Sequence, residues 1–302
     1  MQINSPTTAP DYKAGNLREG TLKSKTMLHG REGALNNYRL SWETAEESWS
    51  TPRHRHNYDQ IRFPITGMVE YGADLPTLPI GVVAYFPESM RYGPQVRHDG
   101  STTLTLQFGG ASANGFLSPD QRKRGLDELL QRGRLENGYY TWTDAAGKKH
   151  NQDSYEAVWE YVRGRKMSYA KPRYGHHIVM EPACANWVED PRQPGVGRKW
   201  LGSFTERQFS ISFLRLDPGA KLKLDPYAAP QILFVAKGAV SQGGQTYGLH
   251  TAFGLEDNEG PAEFTGVEAA ELLFIQLPVF APGEQGAGTA AAYRVPDEAL
   301  AE

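Results

Sequence analysis

One spacing occurs twice in this chain. His54-Arg55-His56 is followed by Gln60 and then by Gly67, and Asp225-Pro226-Tyr227 is followed by Gln231 and then by Gly238. The intervals from first position to Gln to Gly are the same, six and then seven. Asp225 falls on His54, Tyr227 on His56 and Gln231 on Gln60. Internal duplication is the economical explanation. It restricts the chain to a fold that can be built twice from the same short elements.

Those elements read as strands. Apolar and β-branched runs occur at residues 38–42, 60–63, 68–71, 81–86 and 102–108, and again at 209–216, 232–236 and 271–277. Turn residues separate them every ten or so positions, the mark of an antiparallel sandwich or barrel. The 32 Gly and 20 Pro suit many turns between short strands and disfavour a helical bundle. Between the halves the pattern changes. Ser118-Pro119 predicts an N-cap with Pro at the first helical position, and Leu126, Leu129 and Leu130 carry helical spacing up to Gly133. Asp153 with Glu156 predicts a second helix start, with Val158, Trp159 and Val162 as its apolar stripe.

The expected organisation is therefore a mobile arm over residues 1–25 and a sheet-rich unit over 26–114 that carries the candidate metal ligands. A largely helical connection follows over 115–175, then a second sheet-rich unit over 176–282 and an irregular tail over 283–302. With 302 residues the chain has room for two domains of ordinary size. Its 32 basic and 35 acidic residues nearly balance, which argues against nucleic acid or a polybasic membrane surface as partner. No apolar run approaches the length that spans a bilayer, and the first twenty residues carry no signal-like apolar region, so a cytoplasmic location is expected. Cys184 is the only cysteine, which rules out an intrachain disulfide and suggests a buried, inert thiol.

The first copy of the repeat carries the chemistry. In an unbroken strand, residues 54, 56 and 60 would point to one face. His54, His56 and the amide oxygen of Gln60 could then provide three ligands to a divalent metal. Arg62 shares their parity and could clamp a substrate carboxylate. Tyr92 and His98 follow on a later strand end; His98 would reach the site only if the chain loops back. The adjacent pair His176-His177 cannot face one ion from a strand and is assigned to a linker. The second copy offers only Asp225, Tyr227 and Gln231 and reads as catalytically silent.

These motifs resemble the cupin superfamily, specifically a two-domain bicupin with a degenerate C-terminal half. His54, His56, Gln60 and Gly67 fit its first motif, with Gln in the acidic position, while the Pro-Gly lead-in survives only as Pro218-Gly219. The second motif matches from Gly81 through Pro87 and then departs: Ser89 stands where Gly is usual, and Tyr92 where the third His ligand is usual. The resemblance covers residues 35–110 and 200–280.

It implies a mainly β fold of two jelly-roll barrels, with a metal held inside the first by His54, His56 and Gln60. It leaves Tyr92 as a fourth ligand or as a neutral acid, base or substrate partner. Fe(II) is the first expectation for the ion, with Mn, Ni and Zn as alternatives. The implied function is a dioxygenase-type oxidation of a small organic molecule. Non-redox lyase, isomerase or hydrolase chemistry and a non-catalytic ligand-binding barrel stand as alternatives. The second half is expected to cover the first or to build a homodimer interface. The supply of 15 Tyr, 12 Phe and 6 Trp allows an aromatic pocket.

Overall fold

Alternation gives the central strands two unlike faces. In Tyr38–Ala45, residues Leu40 and Trp42 alternate with Arg39, Ser41 and Glu43. In Asp59–Thr66, Ile61 and Phe63 alternate with Gln60 and Arg62. In Thr102–Phe108, Leu104, Leu106 and Phe108 alternate with Thr103, Thr105 and Gln107. Antiparallel register then aligns like with like: Gln107 lies between Arg39 and Gln60, Thr105 between Ser41 and Arg62, and Thr103 between Glu43 and Pro64. One face of the sheet is apolar and the other is charged.

The structure is a computed structural model and describes residues 1–12, 21–72, 77–281 and 283–284. It is mainly β and contains two seven-stranded sheets. The first runs, in spatial order, Ile178–Met180, Val83–Phe86, Asp59–Thr66, Thr102–Phe108, Tyr38–Ala45, Leu22–His29, Asp11–Tyr12. The second runs Gln2–Asn4, Ala252–Leu255, Gln231–Lys237, Ala270–Gln276, Phe209–Leu216, Val196–Phe204, Val188–Glu189. Position by position the two orders correspond, so the repeated spacing of the sequence is a repeat of topology. Each sheet also takes its first strand from the other half of the chain. Gln2–Asn4 pairs with Ala252–Leu255, and Ile178–Met180 pairs with Val83–Phe86.

The apolar faces of the two sheets pack on each other. Leu40, Ile61, Phe63, Leu104, Leu106 and Phe108 meet Phe209, Ile211, Phe213, Ile232, Phe234, Leu273 and Ile275 in one buried cluster. The ring of Phe63 lies 6.1 Å from those of both Phe213 and Phe234. Burying a side chain of this size contributes roughly 1.5–3 kcal/mol. A smaller sheet of Trp49–Thr51, Gln95–Arg97 and Val69–Glu70 belongs to the first half, and one of Lys221–Leu224, Ala262–Gly266, Val240–Gln242 and Gln245–Tyr247 belongs to the second. The second half's remaining interior is filled by Leu214, Leu216, Leu233, Val235, Phe253, Phe264, Leu272 and Phe274. No helix among the described residues is long and apolar enough to cross a membrane.

Several local expectations differ from the structure. The proposed arm over 1–25 is not a free segment where it is described: residues 2–4, 11–12 and 22–25 are strand, because the second sheet has an edge for Gln2–Asn4 to pair with. Residues 13–20 lie outside the described residues. The connection over 115–175 is only partly helical. Helices α1 (Pro119–Leu129) and α2 (Ser154–Arg163) flank an antiparallel sheet of Gly133–Glu136, Tyr139–Thr143 and Lys149–Asp153. Cys184 is exposed, on a single 3-10 turn. Of the tail over 283–302, only Gly283 and Glu284 are described, and Glu284 pairs with Arg207.

Candidate functional site

The first strand of the motif is not unbroken. Residues 55–58 leave extended pairing, and the regular strand begins at Asp59. His54 is held instead by a two-residue bridge to Tyr92: His54 N donates to Tyr92 O at 3.0 Å, and Tyr92 N donates to His54 O at 2.9 Å. Ser89 N donates to His56 O at 2.6 Å and ties the same two segments a second time. To make that turn Ser89 adopts φ +69°, the left-handed region that glycine enters most easily. Backbone pairing, rather than strand parity, brings the side chains of His54, His56 and Tyr92 together.

Their terminal atoms form a triangle. His54 Nε2 lies 3.1 Å from His56 Nε2 and 3.1 Å from Tyr92 Oη, and His56 Nε2 lies 3.0 Å from Tyr92 Oη. Gln60 Nε2 donates to Tyr92 Oη at 3.1 Å. His54 Nδ1 lies 2.7 Å from the Pro52 carbonyl, which can only accept, so Nδ1 carries a proton. In a neutral ring that leaves the Nε2 lone pair directed at the triangle. Neighbouring ligands of an octahedral ion with bonds of about 2.1 Å sit about 3.0 Å apart. Two imidazole nitrogens and a phenol oxygen at this spacing therefore fit one face of a divalent ion.

Gln60 does not present its oxygen to that ion. Oε1 accepts from Arg62 Nη2 at 2.6 Å, and only the NH2 group faces Tyr92. The structure thus corrects Gln60 from a ligand to a group that orients Tyr92. The reason is that Arg62, two residues on and on the same face, competes for the oxygen. Arg62 itself is engaged by protein: Nη1 donates to Thr105 Oγ1 at 3.1 Å and approaches Glu43 Oε2 at 3.4 Å. As a substrate clamp it has little left to offer. His98 is not near the triangle; it pairs with Glu70 at 2.7 Å on the surface. Among the described residues no three His, Cys, Asp or Glu side chains converge as a metal site; the third polar atom at the triangle is the phenol oxygen of Tyr92.

The triangle opens into a chamber of about 180 Å3 between the charged face of the first sheet and its smaller partner sheet. Four guanidiniums line it, those of Arg39, Arg62, Arg97 and Arg122, against one carboxylate, Glu43. Glu43 Oε2 accepts from Arg97 Nη2 at 2.6 Å and from Thr105 at 2.8 Å. Burial alone would push its carboxyl up, but Arg97, Arg62 and Arg39 together hold it down at about 2. Aromatic rings form the remaining wall. His56 stacks on Tyr58 at 4.5 Å, and Tyr155 of α2 closes over both at 5.7 and 5.5 Å. Burial raises the phenols of Tyr58 and Tyr155 above their ordinary range and keeps them neutral.

Several of these groups are absent from the sequence reading. Glu43, Arg97, Arg39 and Arg122 come from separate elements and share no motif. Tyr58, two residues after His56, was within reach of the same spacing argument. His177, assigned to a linker, places its ring 4.5 Å from Phe86 and 6.0 Å from Tyr92, because Ile178–Met180 joins the first sheet beside Val83–Phe86. Among the described residues the second half shows no counterpart to the triangle. Asp225 is exposed, Gln231 Nε2 donates to its backbone carbonyl, and Leu233 occupies the position of Arg62.

No protein-family profile matches the chain, and no curated protein matches it. Solved structures do. A "putative dioxygenase" from Nostoc punctiforme matches with TM-score 0.59 at 10% identity, covering 97% of this chain and 85% of its own. Streptomyces albus HEPD, with 2-hydroxyethylphosphonate and Fe(II) bound, matches with TM-score 0.52 at 14% identity, covering 99% and 80%. A mutant form of the oxalate decarboxylase OxdC of Bacillus subtilis matches with TM-score 0.50 at 11% identity, covering 93% and 78%. These are cupin-fold proteins, and the likeness establishes that the chain shares their fold.

Proposed function

We propose that the first-half chamber is the active site of a metal-dependent bicupin enzyme that oxidises a small organic molecule, with the second half catalytically silent. The observation that carries this reading is the triangle of His54 Nε2, His56 Nε2 and Tyr92 Oη with edges of 3.0–3.1 Å. These three residues would hold a divalent ion, Fe(II) first, with Mn, Ni and Zn as alternatives. Bound there, the ion would supply a Lewis-acidic centre and, as Fe(II), a one-electron couple for dioxygen chemistry.

The chain's own groups do the rest. The Pro52 carbonyl fixes the tautomer and tilt of His54. Gln60 donates to Tyr92 Oη, and Arg62 holds the Gln60 carboxamide so that it cannot turn its oxygen inward. The hydrogen bond from Gln60 and the two imidazoles beside it fix where the phenol oxygen sits. Tyr58 and Tyr155, neutral and buried, exclude water from the side of His56. The neighbours described as a dioxygenase and as Fe(II)-bound agree with the oxidative reading. One observation favours a non-redox second reading. No carboxylate stands in the triangle, so an ion there would carry less ligand charge and polarise a carbonyl more strongly.

The test is elemental analysis of the purified protein beside a His54→Ala/His56→Ala variant, followed by turnover assays. Near-stoichiometric metal that the variant loses, with oxygen consumption supported by Fe(II), is the expected result. Anaerobic turnover with Zn(II) or Ni(II) would select the non-redox reading. Metal retained undiminished in the variant, or none bound after reconstitution, would remove the metal-enzyme assignment.

A further inference from the structure

The chamber carries more positive charge than its own residues balance. Arg39, Arg62, Arg97 and Arg122 stay protonated at neutral pH, and Glu43 is the one carboxylate among the lining residues. Glu43 is already shared, through Oε2, by Arg97 and Arg62. Arg39 is 3% exposed and, among the described residues, its side chain bonds only hydroxyls and faces a ring: Nη2 donates to Ser24 at 2.6 Å, Nε donates to Thr26 at 3.1 Å, and the Tyr12 ring lies 4.1 Å away. Burial lowers the Arg39 guanidinium to about 10, with Arg122 adding to the effect. Arg122 forms no side-chain hydrogen bond or ion pair among the described residues, and its Nε is buried. Arg97, 1% exposed, uses Nη2 on Glu43, while Nε and Nη1 have no partner among the described residues. Gln95 Nε2 beside it is in the same condition. The unmatched groups are mostly donors. Buried charge of one sign is costly unless a counter-charge enters with it.

We propose that the molecule taken up by this chamber is a small organic anion. Its acidic group would be seated on the guanidiniums of Arg39, Arg97 and Arg122 and its remainder turned towards Tyr58, Tyr92 and the two histidines. This rests on the reading above only in taking the chamber as the substrate site; it does not require the metal. It also moves the clamp from Arg62, whose Nη1 and Nη2 already serve Glu43, Thr105 and Gln60, to arginines on three other elements. Fork-shaped guanidiniums suit the two or three oxygens of a carboxylate or phosphonate. A neutral substrate would leave the same donors unmatched.

The experiment is ligand binding by calorimetry and by shift of the unfolding midpoint, on the full chain both as purified and after treatment with EDTA. The probes are acetate, benzoate and methylphosphonate, with acetamide and benzamide as neutral partners of the two carboxylates. At least one anion is expected to bind about tenfold or more tightly than the amides in both preparations, which separates this proposal from the metal. Whether benzoate or methylphosphonate is preferred identifies the head group. Arg122→Gln, which breaks no side-chain hydrogen bond or ion pair among the described residues, is expected to weaken anion binding about tenfold, and Arg39→Gln to do the same while raising the unfolding midpoint of the ligand-free protein. A purely structural Arg39 would lower it. Lys123→Gln, on the exposed side of α1, should change neither. Amides that bind as well as the anions, an affinity unchanged in both arginine variants, or no anion binding at all would overturn the proposal.

Discussion

At the scale of single residues, two positions decide how the site is made. Ser89 stands where the related motif has Gly, and its φ of +69° shows why Gly is usual there: a side chain in that region is strained. Its hydroxyl is also buried without a partner among the described residues. Ser89→Gly should therefore raise stability by up to about 1 kcal/mol, read as a higher denaturant midpoint with an unchanged slope. Glu43 is the second. Burial works to raise its carboxyl, yet Arg97, Arg62 and Arg39 around it depress it from 4.5 to about 2. The unfolded state binds its proton more tightly, so the stability Glu43 contributes is present above pH 4.5 and is lost as pH falls towards 2. Glu43→Gln leaves buried guanidiniums without their carboxylate. It should cost roughly 3–5 kcal/mol at neutral pH and flatten the acid side of the stability profile, measured by chemical denaturation across that range.

Among the elements, α2 links the fold to the chamber. Asp153 caps it, accepting from Tyr155 N at 2.9 Å and Glu156 N at 3.2 Å, and Gly164 closes it with φ +62°. The expected reciprocal reach of Glu156 is absent, since its carboxylate accepts from Tyr169 at 2.5 Å instead. Because the cap sits within one turn of Tyr155, it also positions the ring that covers His56. Asp153→Ala should cost about 1 kcal/mol, speed hydrogen exchange in the first turn of α2, and weaken ligand binding in the chamber. Asp153→Asn, which keeps the acceptor, should restore most of all three. Slowed or unchanged exchange in the Ala variant would show that the cap does not hold this turn.

For the whole molecule, the two halves are not independent. They share one apolar cluster between their large sheets, and each large sheet borrows a terminal strand across the repeat. Thermal unfolding should therefore be a single calorimetric transition, and two resolved transitions would contradict the shared core. Phe213→Ala, on the second half's side of the interface, should cost roughly 3–5 kcal/mol and lower that one transition as a whole. The halves differ in what fills them. Across the first sheet the row is Arg62, Thr105, Ser41; across the second the matching row is Leu233, Phe274, Ser212. The next row is Pro64, Thr103, Glu43 in one and Val235, Leu272, Leu214 in the other. The two halves share a strand order, while these rows are polar in the first and largely apolar in the second.

What the sequence determined by itself is whatever depends on neighbours along the chain. Strand runs such as residues 102–108 and 209–216, the Ser118 and Asp153 helix starts and the repeated interval from His54 to Gly67 were all legible, because side-chain alternation and capping are local. His54 and His56 were legible as a pair, though through a motif rather than through the parity argument, which the break before Asp59 defeats; that Tyr92 rather than His98 joins them came from the backbone bridge between residues 54 and 92. The chamber was not. Arg39, Ser41 and Glu43 alternate with Leu40 and Trp42, and in an isolated strand that pattern reads as a wet face and a core face. Only the tertiary structure decided that the polar face is enclosed too, by a second sheet and two helices. Enclosure turns scattered arginines from four elements into one field around a single carboxylate, since charges that water would screen at a surface act on one another across a buried chamber.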